Sequence, residues 1–394
     1  MRIAFYTPMK EMYDPVPSGD RRMARLFFDA LKAAGHDPYL ASTLTTFDPA
    51  GDQHAQAMLR RESAAVARHI IAGCRGVDAE PPGLWFTYHL HHKAPDWIGP
   101  AVASARRIPY VVAEASIAPK QAKGPWATGY DGALKAARAA DLLLAMTDRD
   151  EAGLRAALGS LAPVRHFRPF IEPHEATNGR ARSAARVTLA RRYPGLNPAL
   201  PWLITVAMMR EGAKAASYAE LGRALKALVD RHPDRPWQLL IAGDGRARID
   251  VEAELWDLPA GHVALLGEAD RALLELCYLA ADLHVWPGRG EAYGMVYLEA
   301  AAVGLPSVAC AGPGVAEVVE QDETGLLVPP GDPEAFAGAI AELIRDPARR
   351  AAMGAKAHAA SQGRHGFATA VETLRTVLPV AAPSQRGSLR EAAS

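Results

Sequence analysis

The residues best suited to chemistry lie in the stretch Trp286-Pro-Gly-Arg-Gly-Glu-Ala-Tyr-Gly-Met-Val-Tyr-Leu-Glu-Ala-Ala-Ala-Val-Gly-Leu-Pro306. An apolar run ends at Trp286, and a loop containing Gly288 and Gly290 follows. A helix is expected from about Gly294, closing at Gly304 with Pro306 two residues beyond, a usual stop. The unpaired N–H groups at such a helix start favour anions and oxygen-rich ligands. Glu291 stands just before the helix and Glu299 inside it, so one carboxylate sits at the mouth while the other reaches the same ligand from further in. Carboxylates accept hydrogen bonds from sugar hydroxyls, often two at a time. The spacing also suits plainer roles: Glu291 as a charge stabilising the helix N-terminus, Glu299 as a solvent-facing residue. Leu298 and the run of alanines around Glu299 are a poor match for an exposed face.

A second concentration of side chains is Tyr88-His89-Leu90-His91-His92-Lys93. His89 and His91 alternate and could share a strand face, which suggests a metal, but no Asp, Glu or Cys accompanies them at ligand spacing until Asp96. Two other readings stand beside it: these histidines line a cleft and bind an acceptor or a phosphate, or they are structural. Gly243-Asp244-Gly245 and Gly312-Pro313-Gly314 each read either as loops approaching a ligand or as ordinary turns.

These residues need elements to position them. The first strand, MRIAFYTPM, leads through PVPSGDRR into a helix from about Asp20 to Ala34, where Met23, Phe27, Ala30, Leu31 and Ala34 recur at helical spacing before Gly35. Short apolar runs at Leu84–Tyr88, Tyr110–Ala113 and Leu142–Met146 are expected as buried strands separated by helices. Between Glu172 and Pro201 prolines and glycines gather among arginines, a pattern expected of an interdomain connection with a short helix near Arg186–Tyr193. A second alternation follows, with strands at Trp202–Ala207, Gln238–Ala242, Val263–Leu266, Leu283–Trp286, Ser307–Ala309 and Leu326–Val328. Its helices are expected at Ala215–Arg231, Arg271–Ala280, Gly294–Val303 and Pro333–Ile344. The class is α/β: two doubly wound sheets, each binding ligands at the carboxyl ends of its strands.

The 394 residues fit two or three domains, and 49% hydrophobic with 22% charged residues is ordinary for a packed protein. No run of about twenty apolar residues lacks charges, and the first residues lack a basic stretch leading into an apolar core, so neither a membrane span nor a signal peptide is expected. Cys74, Cys277 and Cys310 are widely spaced and make neither a disulfide framework nor a zinc site, which points to a reducing cytoplasm. A formal net charge of zero argues against a nucleic-acid binder. Residues 101–200 nevertheless hold 15 Lys and Arg against 8 Asp and Glu, a solvated basic region or a surface for anionic ligands or an anionic membrane face.

GEAYGMVYLEAAAVGLPSVA, continuing through GPGVAEVVEQDETGLLVPPGDPEAF, resembles the donor-binding half of the retaining family 4 glycosyltransferases, and Glu291 and Glu299 match that family's E-x7-E pattern. The resemblance extends over roughly residues 1–380. It implies the GT-B fold, two Rossmann-like domains facing each other across a cleft, with no metal and with a C-terminal helix that crosses back. The divisions would be 1–172 on the acceptor side, 173–200 as linker, 201–364 binding the nucleotide sugar, 365–380 as crossover helix and 381–394 as a disordered tail. The implied reaction moves a hexosyl group from a nucleotide-diphosphate sugar to a hydroxyl acceptor, retaining configuration by front-face displacement. The sugar nucleotide is a co-substrate, and no cofactor is implied.

Carried over position by position, Glu299 would take the ribose hydroxyls and Glu291 the donor sugar. The backbone of Ala292, Tyr293, Gly294, Met295 and Val296 would hold further sugar oxygens. Arg210 and Lys214 would clamp the diphosphate and offset charge on the leaving oxygen, with Ala215 standing where the family usually has glycine. Leu266 lies in the segment whose backbone meets the nucleobase, and Gly243 lines the same cleft. Ser18 and Gly19 fall near the diphosphate and acceptor, where the family often has two glycines. Glu114 occupies the place where many relatives put a histidine beside the reacting carbon. Either Glu114 faces the acceptor as base or hydrogen-bond acceptor, or His89 takes over that duty, or Glu114 is a buried structural residue. A nucleotide-sugar epimerase of the same fold and a non-catalytic nucleotide-sugar-binding protein are the alternatives. A Rossmann oxidoreductase is disfavoured because TPMKEMYDPVPSGD lacks G-x-G-x-x-G.

Overall fold

The computed structural model describes residues 1–16, 18–73, 81–175 and 179–378. Cys74 and the expected tail lie outside the described residues. The chain divides into two compact units: Met1–Arg168 joined by the chain from Phe367 onward, and Pro169–Gly366.

The first unit alternates β1 (Arg2–Tyr6), α1 (Gly19–Ala33), β2 (Asp37–Ser42), α2 (Gln53–Gly73), β3 (Leu84–Leu90), α3 (Gly99–Arg106), β4 (Tyr110–Ala115), α4 (Ala127–Ala139), β5 (Leu142–Ala145), α5 (Asp148–Leu158) and β6 (Val164–His166). Its strands form one parallel sheet in the order β2-β1-β3-β4-β5-β6. Central strands are buried on both faces, which is why they read as unbroken apolar runs; every residue of β4 and β5 is buried. Edge strands β2 and β6 lack such runs: only Pro38 is buried in one and only Val164 in the other. Phe5 stacks on Phe86 at 5.5 Å and meets the edge of Phe28 from α1 at the same separation.

The second unit contains α6 (Gly179–Arg192), β7 (Trp202–Val206), α7 (Ala213–Arg231), β8 (Gln238–Ala242), α8 (Arg248–Leu255), β9 (Val263–Gly267), α9 (Arg271–Ala280), β10 (Leu283–Val285), α10 (Met295–Ala302), β11 (Ser307–Cys310), β12 (Gly325–Val328), α11 (Pro333–Arg345) and α12 (Pro347–Gln362). Its parallel sheet runs β12-β11-β10-β7-β8-β9. The stretch read from sequence as a connection is more structured than expected. Helix α6 spans fourteen residues, and Ala185, Leu189 and Leu196 join Trp202 and Cys277 in one core cluster. Its arginines disguise this. Arg186 caps the carbonyls of Ala280 at 2.9 Å and Leu200 at 3.1 Å while its other end pairs with Asp282.

The two segments by which the chain enters and leaves the second unit lie side by side. Ile171 and Gly366 form a parallel bridge, the Ile171 N–H donates to the His365 carbonyl at 2.9 Å, and His365 Nδ1 meets the Pro169 carbonyl at 2.7 Å. A final helix, α13 (Phe367–Val377), belongs to the first unit. It buries Ala370, Val371 and Leu374, packs on α1, and donates from Arg375 to the Ala33 carbonyl at 2.7 Å.

Each sheet has a point where strand order reverses, between β1 and β3 in the first unit and between β7 and β10 in the second. Open parallel sheets bind ligands just beyond the carboxyl ends of the strands at such points, because the loops on either side diverge there. Among the described residues, no helix is long and apolar enough to cross a membrane.

Candidate functional site

In the second unit, the loop after β7 and the loop after β10 flank the switch point. The first is braced from beside: the Met209 N–H donates to the Asp244 carbonyl at 2.9 Å, and the Ala247 N–H to the Met209 carbonyl at 3.0 Å. Gly243 and Gly245 make this possible, since a Cβ at either would collide with the backbone carbonyls of Ala207 and Met209. Gly243 therefore supports the loop that carries Arg210, and Asp244 pairs with Arg248 at 2.7 Å. Arg210 is exposed and Lys214 half-buried in the first turn of α7, whose N-cap, Gly212, has a φ of 80°. Cations there oppose the helix dipole, so helix stability does not explain them.

Lys214 forms an ion pair with Glu291, across 77 positions of sequence, and its ammonium lies 5.4 Å from the Trp286 ring centre. Glu291 Oε1 also accepts from the Trp286 indole N–H at 3.1 Å. Glu291 sits on the loop after β10, in which Gly288 and Gly290 take φ of 69° and 68°. The Tyr297 hydroxyl donates to the Trp286 carbonyl at 2.9 Å, and its ring fills the space that a Cβ on Gly288 or Gly294 would need.

Glu299 is half-buried on α10, and its Oε2 accepts from the Tyr278 hydroxyl of α9 at 2.8 Å. Ala292 is exposed, Tyr293 and Met295 are buried, and Val296 is half-buried at the helix start beyond Gly294. The Leu266 side chain is buried in the core near the end of β9. Gly314 packs so closely on the carbonyls of Glu291 and Ala292 that no side chain fits. Lys214, Glu291 and Trp286 thus form one constellation, Glu299 and Tyr278 another one helix turn and more along α10.

The first unit carries its own cluster. His89 and Glu114 occupy the same level of neighbouring strands, between the register pairs Tyr88–Ala113 and Leu90–Ala115. Both adopt left-handed backbone, with φ of 66° and 55°, a conformation that costs about 1–3 kcal/mol in each case and persists where the surroundings enforce it. His89 Nδ1 lies 3.6 Å from Asp20 Oδ1 and 3.9 Å from Glu114 Oε1, and the Tyr88 hydroxyl donates to Glu114 Oε2 at 2.6 Å. Lys10 pairs with Asp20 and donates to Ser18 Oγ at 2.9 Å. Ser18 is the N-cap of α1 through its backbone while its hydroxyl serves Lys10, and Gly19 is exposed at the first helical position.

Burial opposes charge on His89, but the carboxylates of Glu114 and Asp20 outweigh it and lift the imidazole to about 9. Burial likewise works against an ionised Asp20, yet His89 and Lys10 hold its carboxyl well below the usual range. For Glu114 burial prevails and pushes the carboxyl up, with His89 pulling the other way. Burial, then the neighbouring His92 and His89, depress His91 to about 3, and His92 lies 5.9 Å from the Trp126 ring in an edge-on arrangement. Asp20, His89 and Glu114 do lie close enough to share a ligand, but the Lys10 ammonium already sits on Asp20.

Sequence reasoning passed over Lys10, Asp20, Tyr88, Tyr278 and the buried polar residues of α7. Asp20 had a signal, an acid in a first helical turn beside Ser18. The spacing of Lys214, Ser217 and Glu220 places the α7 residues on one helix face.

Two six-stranded parallel sheets, each flanked by helices and each bearing polar groups at its switch point, define the GT-B class of fold. A Glycosyl transferases group 1 model matches residues 201–346. A D-inositol 3-phosphate glycosyltransferase 1 from Catenulispora acidiphila is 30% identical over 327 residues, 78% of this chain and 75% of that protein. An exopolysaccharide phosphotransferase from Streptomyces coelicolor is 32% identical over 231 residues, 57% of this chain. The chain spans 22% of that protein's length and 39% to 57% of several further relatives. In fold, the chain is similar to Anabaena HepE solved in complex with UDP, with a TM-score of 0.71 and 17% identity over 96% of this chain and 100% of that one. The chain belongs to the group 1 glycosyltransferases.

Proposed function

We propose that the protein is a retaining hexosyltransferase that takes a nucleotide-diphosphate sugar as donor and a hydroxyl compound as acceptor. The observation that carries this reading is the placement of Lys214 at the switch point of the second sheet, against the helix dipole, held over Trp286 by Glu291. A cation so placed has a diphosphate as its natural partner, and a carboxylate beside it has the hydroxyls of the attached sugar. Arg210 supplies the second cation. Glu299, whose Oε2 accepts from the Tyr278 hydroxyl, is assigned to the ribose hydroxyls. The backbone from Ala292 to Val296 takes further sugar oxygens, and the backbone at Leu266 meets the base.

The proposed reaction is the front-face displacement that the family resemblance implies. Arg210 and Lys214 offset the charge growing on the leaving diphosphate oxygen as the glycosidic bond lengthens. That oxygen takes the proton of the acceptor hydroxyl attacking from the same face, so no carboxylate nucleophile is needed, unlike retaining hydrolases. His89 and Glu114 are assigned to the acceptor. Held between two carboxylates, His89 acts as a cationic donor, and Glu114 is the group able to accept a proton. The basic excess in residues 101–200 favours an acceptor at an anionic membrane face.

HepE was solved with UDP and, in another structure, with UDP-glucose, which makes UDP-glucose the first donor to test. The experiment is calorimetry and donor hydrolysis with UDP-, GDP-, ADP- and dTDP-glucose, followed by NMR of the anomeric centre of any product. Binding and turnover of one of them with retained configuration is the expected result. No response to any of the four, or stabilisation by NAD alone, overturns the reading.

A further inference from the structure

The acidic side chain of Glu220 is wholly buried in the second unit, on the same face of α7 as Lys214 and Ser217. Its Oε2 takes the Arg289 guanidinium Nε–H. Its Oε1 accepts from the Gly331 N–H at 2.5 Å and from the Cys310 thiol at 3.2 Å. Burial alone would push this carboxyl up, but the donors from Arg289, Gly331 and Cys310 outweigh it and hold it below the usual range. The Cys310 thiol is pushed to about 12 by burial and then by Glu220, so it stays protonated and donates. The backbone N–H of Arg289 is held as well, by Ser217 Oγ at 2.9 Å, and that hydroxyl in turn donates to the Ala213 carbonyl at 2.9 Å.

Arg289 lies between Gly288 and Gly290, both in left-handed conformation, and two positions before Glu291. Glycine on both sides leaves such a loop without intrinsic stiffness. A single helix face therefore supplies both the partner of Glu291 and the anchor of the loop that delivers it. We propose that Glu220 is a positioning residue for the donor site: through Arg289 it fixes the loop 287–291 to α7 and so sets Glu291 against Lys214. This rests on the donor-site reading above. Glu220 touches neither donor nor acceptor; it acts through Arg289.

The test uses full-length protein carrying Glu220→Gln, Arg289→Ala, the double substitution, and Ser217→Ala. With UDP-glucose as donor, Glu220→Gln and Arg289→Ala are each expected to lower kcat/KM for hydrolysis about tenfold to a hundredfold, the scale of a misplacement near 1 Å. The double substitution should be no worse than Arg289→Ala, since both break the same link and the pair leaves no stranded charge. Affinity for UMP, which needs Glu299 but not Glu291, should stay within about twofold. Independently of any turnover, amide hydrogen exchange in residues 287–294 should quicken in all four variants while exchange in the body of α7 does not. If Glu220→Gln does not fold, Arg289→Ala and Ser217→Ala carry the same comparison.

Unchanged loop exchange, equal losses for UMP and UDP-glucose, or additive losses in the double substitution would overturn the proposal. A wild-type protein that ignores all four nucleotide sugars would instead overturn the donor-site reading, and the exchange comparison would still decide whether Glu220 fixes the loop.

Discussion

Replacing Lys214 with alanine separates two quantities that the structure assigns to one side chain. The pair with Glu291 is a charge-assisted contact, a kind worth about 1.5–3 kcal/mol when shielded from water. Here the lysine side chain is 31% exposed and the glutamate 15%, so solvent screening reduces the expected loss of stability to roughly 1–2 kcal/mol. Much of that loss comes from leaving Glu291 with the Trp286 indole as its remaining neutral donor. The effect on transfer is separate and larger. Removing one fixed donor from a developing oxyanion costs about a hundredfold to a thousandfold in rate. Adding Glu291→Gln removes the stranded carboxylate, so the double variant should regain stability over Lys214→Ala without regaining turnover. Denaturant unfolding measures the first quantity and UDP release from UDP-glucose the second. A folded Lys214→Ala protein within threefold of wild-type kcat/KM, or a double variant that recovers activity, would refute the phosphate role.

Three further outcomes are expected. His89 has its folded-state proton held to about 9, against an ordinary value near 6.5, so between those values the folded state keeps a proton the unfolded state has lost. Stability from this group is complete below about 6.5 and fades as pH rises through about 9, and His89→Asn, which tolerates left-handed backbone, should flatten that decline in melts run from pH 6 to pH 10. Gly314→Ala would drive a methyl into the backbone of Glu291 and Ala292, with a loss of about 1–3 kcal/mol in urea unfolding and weaker donor binding. Tyr278→Phe removes the 2.8 Å hydrogen bond that orients Glu299, and calorimetry with UDP should find affinity about fivefold weaker, an unchanged value counting against Glu299 as the ribose ligand.

The parts of the fold open to a reader of the sequence were those with a strong period or a fully buried run. Gln238–Ala242 and Arg271–Ala280 coincide with β8 and α9 to the residue, because one is a fully buried run, apolar after Gln238, and the other is amphipathic between an Asp cap and an extended alanine. The edge strand β2 went unread since DPYLAS buries one residue, a proline, and β6 is three residues long. Helix α6 was legible only near its end, as a short helix at Arg186–Tyr193; its first half, Gly179 to Ala185, read as connection because of its arginines and the lack of an apolar period. At the candidate site, the motif residues Glu291 and Glu299 were visible as types, and Arg210 and Lys214 through a family pattern. What could not be read was the contact of Lys214 with Glu291, since nothing local links positions 77 apart. Nor could the convergence of Asp20, His89 and Glu114 be read, because it depends on sheet order.

The first unit is discontinuous in sequence: α1 packs against α13, and residues 169–366 come between them in order of synthesis. On a ribosome the second unit can therefore close completely while α1 still waits for the helix that covers it. A nascent chain must keep that apolar surface from other partners for more than three hundred residues of elongation, from the end of α1 to the start of α13, which makes α1 a natural client site for a chaperone.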